Sequence, residues 1–80
     1  MARIEFEDIE QVDPHLVDAA MSGRLFASDL TYVERVYVAG RLSARGDTAA
    51  QVAGRLRVSM RTAQRLQAEA RRVGVSRWAS

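Results

Sequence analysis

The stretch Thr48 to Leu66, TAAQVAGRLRVSMRTAQRL, constrains the fold more than any other part of the chain. It holds two apolar-periodic segments, one carrying Val52, Ala53 and Leu56 and the other Ala63 and Leu66, joined through Leu56-Arg57-Val58-Ser59. Each segment has its own start signal. Thr48 and Gln51 have the spacing of a capping box, in which each side chain satisfies a backbone donor near the helix start. Ser59 is a good N-cap for the second segment. The second apolar stripe continues through Ala70 and Val73 and stops at Gly74, a residue suited to closing a helix. Two short helices with so little chain between them become neighbours.

The rest of the chain reads as further helix. In DPHLVDAAMSG, Asp13 can cap, Pro14 fits the first helical position and Gly23 can close the end. Leu16, Val17 and Ala20 give this helix an apolar side, onto which Val12 can staple at Val17. In LTYVERVYVAGRLSARG, Thr31 and Glu34 again have capping-box spacing, and Val33, Val36, Tyr37, Gly40 and Ala44 form the apolar stripe. Gly46 stops it. Gly40 lies within the stripe, where a missing side chain lets another helix approach and offsets a cost of about 1 kcal/mol for glycine in a helix. The opening RIEFEDIEQV is ambiguous, with Ile4 and Phe6 alternating as in a strand and Phe6, Ile9 and Val12 spaced as in a helix. The expectation is a single all-α domain over 1–80, a bundle of about four helices. Residues 1–28 form an acidic amino-terminal segment with a short helix, ahead of a core over 30–74.

Eighty residues suffice for one modest core and leave little room for a deep substrate cavity or a separate effector domain. The absence of cysteine excludes disulfides, thiolate zinc sites and cysteine nucleophiles. No apolar run reaches the roughly 18 to 20 residues that cross a bilayer. The acidic start MARIEFEDIE lacks the form of a signal peptide, so the expected location is the bacterial cytoplasm or nucleoid, with no membrane partner. Net charge is +2, but it is polarised. Residues 1–20 set Arg3 against Glu5, Glu7, Asp8, Glu10, Asp13 and Asp18, a net of −5, whereas residues 41–80 set nine arginines against Asp47 and Glu69, a net of +7. A basic half favours a polyanionic partner. Every basic residue is arginine. Codon usage in a high-GC genome accounts for that choice, so position carries more information here than identity.

TAAQVAGRLRVSMRTAQRL resembles the helix-turn-helix of bacterial and phage DNA-binding proteins. The resemblance covers residues 48–68 and extends more loosely back to Leu30, where LTYVER followed by SARG is similar to the lead-in helix of three-helix versions, including sigma-factor region 4. Ala53 is the small residue at the helix crossing, Leu56 and Val58 flank the turn as core residues, and Ser59 caps the second helix. Two positions depart from the family pattern. Arg57 stands where glycine is usual, and a left-handed backbone costs a residue with a side chain about 1 kcal/mol or somewhat more. Ala63 is smaller than the usual valine or isoleucine.

The resemblance implies duplex DNA as partner and the start of the second helix as the reader. If Ala63, Leu66, Ala70 and Val73 face inward, Arg61, Gln64, Arg65, Ala68 and Arg72 share the opposite side. Arg61, Gln64 and Arg65 are then the base-contacting candidates, since arginine pairs with guanine and glutamine with adenine. Ala68 keeps the helix slim. Thr48, Arg55, Arg57, Ser59, Thr62 and Arg72 are the candidates for DNA backbone contacts, and Arg55, Arg57, Arg61 and Arg65 are all expected to be exposed. Met60 can touch a thymine methyl group or simply cover the first turn. The ordinary reading of the three base-contacting candidates is a solvated helix face.

Other chemistry finds little support. One histidine, His15, beside Glu10, Asp13 and Asp18 falls short of metal-ligand spacing, and its plain reading is a partly exposed helix residue. The same carboxylates lack any sign of a pocket that would tune them for acid–base work, and no phosphate-cradling glycine loop occurs. No catalytic residue, cofactor or metal is expected. The expected function is therefore sequence-specific binding of double-stranded DNA by a small transcriptional regulator or repressor of phage or mobile-element type. A homodimer on a palindrome is the expected assembly, with the RIEFE segment and Trp78 as spare apolar elements for pairing. Trp78 could equally cover the core edge. The rival is a protein-interaction module, in which the same fold is a scaffold and the acidic amino-terminal segment binds RNA polymerase or a regulator.

Overall fold

The computed structural model describes Ile4 and residues 6–74. Over these residues the chain forms five α-helices, α1 (Phe6–Glu10), α2 (Pro14–Met21), α3 (Tyr32–Ala44), α4 (Ala49–Leu56) and α5 (Met60–Val73), with a 3-10 turn at Ala27–Asp29. The fold class is all-α. The extra helix relative to the sequence reading is α1, which resolves the ambiguous opening in favour of helical spacing: Ile9 is buried and Val12 packs on the core.

The helix starts are fixed by local hydrogen bonds. At α2 the Asp13 carboxylate accepts from the His15 backbone N–H at 2.9 Å, with Pro14 in the first turn. At α3 the Thr31 N–H donates to the Glu34 carboxylate at 2.8 Å, and the Glu34 N–H donates back to Thr31 Oγ1 at 3.2 Å. The helix then ends at Ala44, with Gly46 at φ 103° just beyond. Between α2 and α3 the 3-10 turn is pinned twice. The Phe26 N–H donates to Asp29 Oδ2 at 3.0 Å, and Arg35 Nε reaches from α3 to the Ala27 carbonyl at 2.6 Å.

The core runs through the whole described chain. Ile4, Ile9, Val17, Ala20 and Leu30 bury against Val36, Val38, Ala39 and Leu42 of α3, and Val52, Leu56, Ala63, Leu66 and Ala70 close it from the other side. The amino-terminal segment thus contributes to the same core as residues 30–74. Helix α3 is the centre of this arrangement, touching α1, α2, α4 and α5 and packing most extensively on α5. That position corrects the expected stripe on α3. Val36 and Gly40 are buried, but so are Val38, Ala39 and Leu42, whereas Ala44 is exposed and Val33 and Tyr37 are only half-buried. A single stripe describes a helix with one neighbour; a helix surrounded on several sides buries a wider arc.

Burial of Ile4 also corrects its expected role in pairing. With 3% exposure it is part of its own core and offers no surface to a second copy. Trp78 lies outside the described residues.

Candidate nucleic-acid interface

The α4–α5 pair is built by its caps and by one unusual backbone conformation. At the start of α4 the Thr48 N–H donates to Gln51 Oε1 at 2.7 Å, and the Gln51 N–H donates to Thr48 Oγ1 at 3.2 Å. After Leu56 the chain turns through Arg57 at φ 58° and ψ 50°, the left-handed region. The Arg57 and Val58 N–H groups then both donate to the Ala53 carbonyl, which ends the helix. Ser59 is extended, and its Oγ accepts from the Thr62 N–H at 3.1 Å to start α5. At the far end Gly74 adopts φ 80°, where the missing side chain avoids the left-handed penalty.

Arg57 is the one described residue other than glycine with positive φ. Its guanidinium carbon lies 4.2 Å from the centroid of the Phe26 ring. A cation–π contact at an exposed site is worth about 0.5–1 kcal/mol, comparable with the roughly 1 kcal/mol cost of the left-handed backbone. Phe26 was not singled out in the sequence, because nothing local links it to a residue so far along the chain.

Helix α5 divides cleanly into two faces. Ala63, Leu66 and Ala70 are buried and Val73 is half-buried, while Arg61, Gln64, Arg65 and Ala68 are exposed. Among the described residues, no group hydrogen-bonds to or pairs with the side chains of Arg61, Gln64 or Arg65. Their donors face solvent. Nor does the first turn of α5 carry any acidic residue, although carboxylates are the groups that the positive end of a helix favours. The amino-terminal half of α5 therefore presents positive charge and hydrogen-bond donors that no described residue compensates.

Two of the candidate DNA backbone contacts are engaged inside the fold. Arg55 was expected to be exposed; it is half-buried, and its Nη1 donates to the Met21 carbonyl at 2.8 Å. The last carbonyls of a helix lack intrahelical partners and form its negative end, so the carboxy terminus of α2 is a natural acceptor for this guanidinium. Arg72 is exposed on the expected side of α5, but its Nη2 and Nε donate to Glu69 at 2.7 and 2.8 Å, and Nη2 also donates to the Ile4 carbonyl at 2.9 Å. It ties the amino terminus to the end of α5.

Of the remaining candidates, Arg57, Thr48 and Thr62 keep a donor for an anion, whereas the Ser59 hydroxyl donates its proton inside the cap. Arg57 and Thr48 are exposed, as is Ser59. Ser59 Oγ donates to Thr62 Oγ1 at 3.0 Å, which leaves the half-buried Thr62 hydroxyl its own proton to donate. Beside them Gly23, Phe26, Gln51, Gly54, Arg55 and Arg57 line an open depression of about 400 Å³. On the α3–α4 loop Arg45 pairs with Asp47 at 3.0 Å, a hydrogen bond that raises the pKa of its guanidinium. His15 is exposed on α2, and no helix among the described residues is long and apolar enough to cross a membrane.

No family model, curated protein or solved structure matches the chain.

Proposed function

We propose that the chain binds double-stranded DNA sequence-specifically, with α4 and α5 acting as a helix-turn-helix and the amino-terminal half of α5 entering the major groove. The observation that carries this reading is the grouping of Arg61, Gln64 and Arg65, exposed and without a side-chain partner among the described residues, on the side of α5 opposite its buried stripe. Arginine bridges guanine O6 and N7, and glutamine bridges adenine N6 and N7; each such pair is worth about 1–3 kcal/mol of discrimination. Thr48, Arg57 and Thr62, at the two helix starts and the turn, hold the phosphates on either side, and Ser59 fixes the cap that presents them. Arg55 and Arg72 support the fold that presents them. The biological role that fits is a small transcriptional regulator acting by occupancy of a promoter, encoded by a phage or mobile element. A two-fold dimer on half-sites about one helical turn apart would extend the few base pairs that one such helix reaches.

Selection of bound duplexes from a random pool, followed by titration across salt, tests the proposal. Specific binding is expected to weaken with salt at a log–log slope of about −3, as for roughly three arginines, Arg57, Arg61 and Arg65, brought against the DNA by each protomer. Failure to enrich any sequence, with no binding at low salt, would transfer support to the rival. In that reading the exposed carboxylates Glu7, Glu10, Asp13 and Asp18 on and beside α1 and α2 dock on a basic protein surface such as one on RNA polymerase.

A further inference from the structure

Only two large apolar side chains are exposed among the described residues, Tyr32 at 37% and Met60 at 46%. A lone exposed methionine needs no explanation in itself. The position of Met60 makes it informative. It is the first residue of α5, directly before Arg61 and one helical turn before Gln64, so it shares the edge of the face that carries the unengaged donors. The first turn contains no acidic residue, and Ser59 and Thr62 satisfy the cap without any help from Met60. Met60 is therefore not needed to start the helix.

An apolar, flexible side chain among donors fits one particular groove feature. The base edges in the major groove present hydrogen-bonding atoms and a single apolar group, the C5-methyl of thymine; 5-methylcytosine presents the same group. An unbranched thioether adapts readily to the position of such a methyl. We infer that Met60 is a specificity-determining residue that packs on the C5-methyl of a pyrimidine beside the base read by Gln64. Binding then distinguishes thymine from uracil and cytosine from 5-methylcytosine at that position. This inference rests on the duplex-binding reading above, and burial of one methyl group sets its scale at a factor of about four.

The test uses the full chain and its selected duplex. Each thymine in the site is replaced singly by deoxyuridine, which removes only the methyl group, and affinities are measured for the wild type, Met60→Ala and Met60→Gln. At one thymine per half-site the replacement is expected to weaken wild-type binding about three- to tenfold and to leave both variants unaffected. In a duplex with cytosine at that position, 5-methylation is expected to restore wild-type affinity by a similar factor. Thermal melts check that both variants fold, and the exposure of Met60 leads us to expect unchanged midpoints. If no thymine responds, or the selected site contains none, the inference fails while duplex binding stands. It also fails if the variants respond as strongly as the wild type, since another residue then reads the methyl. If no duplex binds selectively, the underlying reading fails and takes the inference with it.

Discussion

The two halves of α5 carry similar residues and use them differently. In the first half the side chains of Arg61, Gln64 and Arg65 have no partner among the described residues. In the second half Gln67 donates to Ser43 of α3 at 2.9 Å, while Arg72 holds both Glu69 and the Ile4 carbonyl. One helix is thus a solvent-facing donor array at its start and a structural tie at its end. The contrast shows that the local sequence assigns an arginine only part of its task. Arg61 and Arg72 lie on the same side of the helix, and Arg72 alone meets a carboxylate one turn before it, Glu69, and a carbonyl from the distant chain at Ile4. The same distinction holds on α4 and its turn, where Arg55 is bound to α2 and Arg57 rests on Phe26 with its guanidinium still accessible.

Several substitutions can break or sharpen this contrast. The largest effect is expected where both halves depend on the shared inward stripe. Leu66 is 3% exposed at the centre of α5, and Leu66→Ala is expected to cost about 2–5 kcal/mol of stability. In a domain this small that loss abolishes ordered structure and DNA binding together, as read by urea melts followed by circular dichroism. Arg61→Ala and Arg65→Ala come next, each costing about 1–3 kcal/mol on the selected site and much less on random duplex. Their melting midpoints are expected to stay within a degree or two, roughly the response to a few tenths of a kcal/mol.

Arg55→Ala is expected to behave in the opposite way. Loss of a charged donor from the half-exposed Met21 carbonyl is expected to lower stability by about 1 kcal/mol, with the selected-to-random affinity ratio unchanged. A lowered ratio without a shift in the urea midpoint would move Arg55 into the reading set. The smallest effect is a gain. Gly54 is exposed inside α4, and a Cβ built there meets nothing within 4 Å. Gly54→Ala is accordingly expected to raise stability by about 0.5–1 kcal/mol. It also adds a methyl group to the depression beside Phe26 and Arg57, so duplex affinity for this variant reports whether that depression lies against the DNA.

What could be read from the sequence was what short spacing determines. The capping boxes at Thr31–Glu34 and Thr48–Gln51, the Ser59 cap, the Gly74 stop and the inward stripe of α5 all involve residues within a few turns of one another. The wide burial of α3 was not legible, because periodicity counts apolar residues along a helix without counting the helices around it. Nor were the long-range ties. Arg55 meets a carbonyl 34 residues earlier and Arg72 one 68 residues earlier, and backbone carbonyls carry no side-chain signature. Phe26 escaped notice for the same reason. It looks like an ordinary apolar residue in a connecting segment until the fold brings the turn of α4–α5 over its ring.

The central claim is that the start of α5 reads DNA while its end belongs to the fold. Paired titrations of Arg65→Ala and Arg72→Ala on selected and scrambled duplexes test it most directly, because both residues are arginines on the same helix. The account predicts that Arg65→Ala lowers the ratio of specific to random affinity by about tenfold or more with an unchanged melting midpoint. For Arg72→Ala it predicts a lower midpoint and an unchanged ratio. Equal ratios for both variants and the wild type would contradict the account, and leave α4 and α5 as a scaffold for some other surface.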